Sequence, residues 1–157
     1  MYYNNTQALM LLGHVCNNLG ILKDANYSIT DKCFNTKMHK LIFRTLNNLS
    51  ATKDINSVDS STINNYLIKY EEQHRYFREN NGIELVDKIK ADCRKNSFNL
   101  AYETTKKFEI LRDLRGTFNV SEIYNPNISN LEEKEKKYAE FEDMSINDIM
   151  NHFKLKL

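Results

Sequence analysis

The residue types that usually carry chemistry are present in this chain, but their spacing forms no common catalytic pattern. A phosphate-binding loop needs clustered glycines, which let the backbone close around the phosphates, and a neighbouring lysine. The four glycines here are isolated, and each is followed by His, Ile or Thr. The sequence therefore predicts no nucleotide-binding loop.

The histidines and cysteines show no metal-ligand spacing. The chain contains no pair of histidines at i, i+4 and no C-x-x-C motif. His14 and Cys16 are close in sequence, but they point to different faces of a helix. The remaining residues of these types are His39, His74, His152, Cys33 and Cys93. We predict no metal site and no disulfide framework, and we expect the three cysteines to be small buried hydrophobic residues.

Nucleophilic catalysis also lacks a recognisable set of residues. Cys33 and Ser60 have no base partner that the sequence identifies, and the carboxylates are too numerous for any pair to stand out. We therefore expect no catalytic residue and no cofactor in this chain, and we do not expect the chain itself to be an enzyme.

Composition indicates one helical domain with some additional chain. A chain of 157 residues, 41% hydrophobic and 27% charged, can bury a core and has the balance of a soluble protein. The net charge of +1 argues against a protein whose main role is to neutralise nucleic-acid phosphates. The longest apolar run, ALMLL, is too short to span a bilayer and has no signal-peptide flank, so we expect a cytoplasmic protein.

Apolar residues recur at helical spacing almost throughout, and the single proline disfavours a fold with many tight turns. The first predicted helix ends at Gly20, the second is capped by Asn35 or Thr36, the third follows the sequence DSST, and the fourth follows Asn81 and Gly82. These four amphipathic stripes are Ala8, Leu12, Val15, Cys16 and Leu19; Met38, Leu41, Ile42, Thr45, Leu46 and Leu49; Ile63, Tyr66, Leu67 and Tyr70; and Leu85, Val86, Ile89 and Cys93. The prediction is an all-α compact bundle of short helices.

The fifth predicted helix, residues 97–116, is apolar on more than one face, which indicates more than one neighbour. Its broad apolar surface comprises Phe108, Ile110, Leu111, Leu114 and Phe118. We predict that this surface mediates self-association. The alternative is that it is the core of a monomer that folds back on itself.

The C-terminal sequence MSINDIMNHFKLKL predicts a further amphipathic helix. Ser145, with Asp148 three residues later, resembles a capping pattern, and the charged segment NLEEKEKKYAEFED precedes it. The apolar stripe of this helix is Ile146, Ile149, Met150, Phe153 and Leu157. Because the charged arm separates the stripe from the bundle, we predict docking on another polypeptide; the alternative is docking on the bundle of the same chain.

Two surface features leave a nucleic-acid role open. Basic residues cluster in KIKADCRK, and tyrosines lie among charges around EEQHRYFREN, although solvated helix faces and core packing are the commoner explanations. A small helical DNA-binding regulator is therefore an alternative function class, and it would bind DNA with an affinity that falls steeply with salt.

Three segments of the chain resemble, in their order and spacing, the N-terminal domain of DnaB-type replicative DNA helicases. The family's first helix contains a Leu-Gly pair, which QALMLLGHV matches. Its next segment has a Phe, a His and then Ile-Phe, which CFNTKMHKLIF matches. A later segment has an Asn, a Tyr and a stretch that ends in Arg and Leu, which NLAYETTKKFEILRDL matches. The matching residues are Leu12, Gly13, Phe34, His39, Ile42, Phe43, Asn99, Tyr102, Leu111, Arg112 and Leu114. The family's motor domain, with its phosphate-binding loop, is not in this chain.

The resemblance implies a helical head, a helical hairpin and a linker helix. Residues 1–127 would form the DnaB-like N-terminal helical domain, and residues 128–157 the charged arm and amphipathic linker helix. In that family the domain is a non-catalytic collar of a hexameric ring; it self-associates and contacts primase and the helicase loader, whereas contact with DNA is only indirect. ATP and Mg²⁺ would belong to the parent protein's motor domain, on which the linker helix docks.

Two expectations complete the interpretation. The abundance of Asn, Lys and Ile is typical of a phage or a low-GC bacterium. The alternative to a collar domain is a free-standing adaptor or inhibitor that binds a replicative helicase or its loader.

Overall fold

The computed structural model of the protein describes residues 3–117 and 145–154. Within these residues the fold is all-α, as predicted, with seven α-helices, three short 3₁₀ segments and no strand. The α-helices are α1 (Asn5–Asn17), α2 (Lys37–Thr52), α3 (Ser60–Leu67), α4 (Glu71–Glu79), α5 (Gly82–Asp92), α6 (Phe98–Thr117) and α7 (Ile146–Lys154). The 3₁₀ segments are Leu19–Lys23, Asp31–Cys33 and Cys93–Lys95.

The chain divides into two compact units. The first, Tyr3–Thr105, is a helical bundle in which α1 packs against α5 and α2, and α3 packs against α2, α4 and α5. The second contains the part of α6 from Lys106 onward, together with α7. The charged arm lies outside the described residues.

Side chains at the helix starts explain where several helices begin. The side chains of Asn4, Thr36 and Asp59 accept hydrogen bonds from backbone N–H groups in the first turns of α1, α2 and α3. Ser145 does the same for α7, because its hydroxyl accepts from Asp148 N at 3.1 Å. Such bonds satisfy donors that have no partner within the helix. The predicted caps at Thr36 and Ser145 and in DSST are confirmed.

The first helix ends earlier than the sequence predicts. The helix stops at Asn17, and Gly20 lies inside the 3₁₀ segment Leu19–Lys23. The Asn18 N–H closes the last turn of α1, while its side chain accepts from Gly20 N and so starts the next segment. Gly20 has no positive φ, so the expected glycine stop was wrong.

The bundle core contains most of the predicted stripes and the three cysteines. Leu12, Ile42, Leu46, Ile63 and Val86 are fully buried there. Cys16, Cys33 and Cys93 are free and buried, as predicted.

Helix α4 was not predicted. Its sequence EEQHRYFRE is largely polar, and Phe77 is its one buried residue. The Phe77 ring lies directly against Gly82: a Cβ at position 82 would lie within 2.2 Å of the ring. Asn81, between α4 and α5, adopts a left-handed φ of 58°, which asparagine tolerates better than most residues.

Candidate functional site

The two apolar surfaces predicted from the sequence contact each other in the second unit. Ile149 of α7 is fully buried and forms a cluster with Phe108 and Leu111 of α6, which are 6% and 3% exposed. Ile110 and Leu114 pack at the edge of this cluster and remain half-buried. We call these five residues the α6–α7 cluster.

The sequence did not predict that these two surfaces contact each other. The prediction placed partner polypeptides on both surfaces, whereas the structure covers Phe108, Leu111 and Ile149 by one another within the chain. Ile146 is half-buried. Phe118 and Leu157, and the side chains of Met150 and Phe153, lie outside the described residues. Whether a partner also binds these surfaces stays a prediction.

A charged pair borders the same part of α6. Lys106 Nζ and Glu109 Oε2 lie 2.6 Å apart, and the Glu109 side chain is 7% exposed. Glu109 is therefore a buried carboxylate that lies beside an opposite charge. The i, i+3 spacing of Lys and Glu was visible in the sequence, but the burial of Glu109 was not.

Histidine chemistry in the bundle is confined to isolated side chains. His39 is buried and lies 2.7 Å from the Tyr3 hydroxyl, and burial lowers its pKa to about 4. His74 Nε2 is hydrogen-bonded to Asn64 Oδ1 at 2.9 Å. Burial also lowers the pKa of His14. Across residues 3–117 and 145–154, no three His, Cys, Asp or Glu side chains are placed to hold a metal ion.

The potential nucleophiles occupy structural positions. Ser60 donates to Asp87 Oδ1 at 2.6 Å, which links α3 to α5. Cys33 is buried next to the Ser28 carbonyl, with its Sγ 4.0 Å from that oxygen. Burial raises the pKa of the Cys16 thiol to about 12, so a reactive thiolate is strongly disfavoured at this position.

The tyrosines around EEQHRYFREN pair with lysines. Lys69 Nζ lies 4.9 Å and 5.3 Å from the ring centroids of Tyr66 and Tyr70, and Lys37 Nζ lies 4.3 Å from the ring centroid of Tyr76. Phe77 is in the core. The packing explanation therefore holds for Phe77 and for the half-buried rings of Tyr66 and Tyr76, which pack against the core, whereas Tyr70 is exposed beside Lys69.

Open pockets lie in the described part of the bundle, and two of them are lined by residues from several elements. One, of about 480 Å³, lies between α2 and α4 and is lined by Lys37, Lys40, Arg44 and Tyr76 among others; Arg44 is already paired with Asp31 at 3.1 Å. The other, of about 650 Å³, lies at the C-terminal end of α1. The sequence reasoning identified neither pocket, because their lining residues come from separate elements with no shared motif.

Comparison with known proteins gives one match. The chain is 30% identical over 161 aligned residues to the SPbeta prophage-derived uncharacterized protein YorI of Bacillus subtilis strain 168. The match covers the whole of this chain but only 31% of that protein, so the chain spans about a third of its relative's length. It is thus similar to a phage-derived protein, in agreement with the phage or low-GC bacterial origin expected from composition.

The other two comparisons were negative: no family model matches the chain, and no solved structure matches it. Within the described part of the chain, no helix has the length and apolar character needed to cross a bilayer.

Proposed function

We propose that this chain is the non-catalytic collar domain of a DnaB-type replicative helicase of a phage. In this proposal the domain holds subunits together and offers surfaces to primase and the helicase loader. ATP hydrolysis and DNA translocation belong to a motor domain elsewhere in the parent protein. The chain itself is then a scaffold and not an enzyme.

One observation carries the proposal: the residues of the resemblance in the first two segments take part in the packing of the bundle. Leu12, Phe34, Ile42 and Phe43 are buried, and at Gly13 helices α1 and α5 approach too closely for a Cβ. The Phe34 and Phe43 rings pack with centroids 5.2 Å apart. The close approach at Gly13 gives a packing reason for the Leu-Gly pair of the resemblance.

The length of the phage relative supports the same interpretation. Because the matched region is 31% of that protein, about two thirds of it lies outside the match. This leaves room for the further domains that a helicase requires. The comparison assigns no activity to the relative, so the motor domain remains part of the proposal.

The α6–α7 cluster must open or exchange partners if its surfaces serve the collar. Burying one isoleucine side chain contributes about 1.5–3 kcal/mol. A contact centred on Ile149 is therefore weak enough to be replaced by a larger interface with another subunit. In this scheme, α7 covers the self-association surface until it docks on a neighbouring motor domain.

The same cluster favours a second candidate function. A chain whose apolar surfaces cover each other has less need of a copy of itself, as expected for a free-standing adaptor or inhibitor of a helicase or its loader. Such an adaptor would remain monomeric and would bind a separate, complete helicase.

Sedimentation equilibrium of the purified chain across concentration tests the collar. We expect concentration-dependent association that Leu114→Asp weakens and Ile149→Asp strengthens, because the latter change uncovers Phe108 and Leu111. Leu100→Asp is the matched control, since Leu100 lies on α6, is 52% exposed and lies outside the cluster. The double variant with both cluster changes should return to monomer if the association is specific.

The outcomes separate the candidates. If the natural chain and Ile149→Asp are both monomeric at all concentrations, the collar proposal is refuted. Co-sedimentation of a monomeric chain with the complete phage or host helicase would then support the adaptor. Binding to DNA whose strength falls steeply with salt would instead favour the DNA-binding regulator.

A further inference from the structure

The pocket at the C-terminal end of α1 lies entirely within the bundle unit. Its wall includes His14 and Asn17 from the last turn of α1, the cap residue Asn18, Asp24, and the rings of Tyr27 and Phe98. Its volume of about 650 Å³ can admit a long side chain or a small molecule.

The charge of this pocket favours a cation. Among the described residues of the lining, Asp24 is the one formally charged side chain, and none is a lysine or arginine. His14 adds no positive charge near neutral pH, because burial lowers its pKa. The pocket also lies at the C-terminal end of a 13-residue helix, the end at which the helix dipole carries partial negative charge.

Asp24 and His14 supply hydrogen-bond acceptors to this wall. The Asn17 amide uses its N–H groups on the Lys90 carbonyl (3.1 Å) and on Cys93 Sγ (3.2 Å), and these bonds turn its donors toward α5. Asp24 uses Oδ1 to accept from Asn26 N. Its second oxygen remains available. His14 Nε2 is buried without a hydrogen-bond partner. A ligand that complements this wall must bring N–H donors.

The aromatic residues fit a flat cation. The Tyr27 and Phe98 rings meet edge to face, with centroids 4.9 Å apart and an interplanar angle of 85°. Guanidinium groups stack on aromatic rings, carry five N–H donors in one plane and are more weakly hydrated than ammonium groups. A nucleotide would offer a flat base and N–H donors as well, but its phosphates would meet Asp24 and the helix C-terminus, with no cation in the lining.

We propose that this pocket binds the side chain of an arginine presented by a partner protein. Asp24 pairs with the guanidinium, the end of α1 adds to the negative potential, and Tyr27 and Phe98 form the apolar walls. The proposal does not depend on the collar function, because every lining residue belongs to the bundle.

Titration of the isotope-labelled chain followed by NMR tests this site. The probes are N-acetyl-arginine methylamide, its lysine counterpart and its citrulline counterpart, which keeps the shape of arginine but has no charge. We expect the arginine compound to shift the ring signals of Tyr27 and Phe98, with weaker effects from lysine and none from citrulline.

Two variants connect the binding to Asp24. Asp24→Asn retains the side-chain oxygen that accepts from Asn26 N, so it should fold normally while binding the arginine compound about fivefold more weakly. Glu79→Gln removes an exposed carboxylate from α4, outside this pocket, and should leave binding unchanged.

Four results would overturn the proposal. Equal shifts from the arginine and citrulline compounds would remove the role of charge, and stronger binding of the lysine compound would show that an ammonium is preferred. Unchanged ring signals at saturating arginine compound, or shifts produced by adenosine monophosphate instead, would show that the pocket is not a guanidinium site.

Discussion

Replacing Gly13 with alanine is expected to destabilise the bundle, although alanine is the better helix former. A Cβ at position 13 would lie 2.3 Å from the Ile89 carbonyl oxygen, 2.9 Å from its carbon and 3.0 Å from Cys93 Cβ. The first two atoms are backbone of α5, so no side-chain rotation relieves the overlap. Helices α1 and α5 would have to separate by about 1 Å to restore ordinary contact.

The expected magnitude combines two opposing contributions. Overpacking of this kind costs about 3 kcal/mol, because separating the helices also loosens the contacts of their buried side chains. Replacing an interior helical glycine with alanine returns about 1 kcal/mol. The net loss is about 2 kcal/mol of unfolding free energy, which lowers Tm by roughly 5–10 °C for a domain of this size.

Circular dichroism at 222 nm during thermal and urea unfolding measures this loss. Gly20→Ala is the matched control, because a Cβ there would meet Asn18 Oδ1 at 3.1 Å and no backbone atom of another helix. Its effect should stay within about 0.5 kcal/mol. A Gly13→Ala chain at least as stable as the natural one would show that the helix propensity dominates, and it would refute the close crossing of α1 and α5.

Three further predictions follow from the bundle. Burial lowers the pKa of His39 from 6.5 to about 4, so the unfolded chain binds more protons between these values, and the free energy of unfolding should fall by about 3 kcal/mol as pH drops through this window. Urea midpoints at pH 7 and pH 4 measure this loss. His39→Gln should reduce it, and an equal loss in both chains would contradict the assignment to His39. Asp59→Ala removes the oxygen that caps α3 and should lower the free energy of unfolding by about 1 kcal/mol in the same assay. Asp54 is exposed and caps no helix, so Asp54→Ala should lower it much less. Equal losses would contradict the role of Asp59 as a cap. Cys16, with its pKa raised to about 12 by burial, should react with a thiol reagent only after unfolding, as peptide mass spectrometry of native and urea-treated samples would show; rapid labelling in the native state would contradict its burial.

The α6–α7 cluster changes how the apolar surfaces of α6 and α7 are interpreted. The sequence shows that Phe108, Leu111 and Ile149 must be removed from water, and the structure shows one way in which the chain does this. Either a subunit partner or the chain itself satisfies the same requirement. For this reason the effect of Ile149→Asp on association says more about whether a partner binds than the exposure of either surface does.

Much of the fold was determined by local sequence patterns. Helical spacing of apolar residues predicted α1, α2, α3, α5, α6 and α7, and Thr36, Asp59 and Ser145 marked starts through hydrogen bonds that span three residues. These features depend on neighbours in the chain, so the sequence alone contains the necessary information. Helix α4 was missed because its one buried side chain, Phe77, gives no periodic pattern.

Contacts between distant segments were decided by tertiary structure. Helical spacing identified Ile149 and Phe108 as apolar, but no local rule specifies that residues about forty positions apart should pack together. The pocket beside Asp24 likewise exists because the end of α1 meets the start of α6, which brings His14 and Phe98 side by side. The sequence by itself determined which faces need cover and which residues begin helices, since both follow from hydrophobicity and local hydrogen bonding. Only the three-dimensional packing decided which surface covers which, because that choice depends on shape and distance between segments remote in the chain.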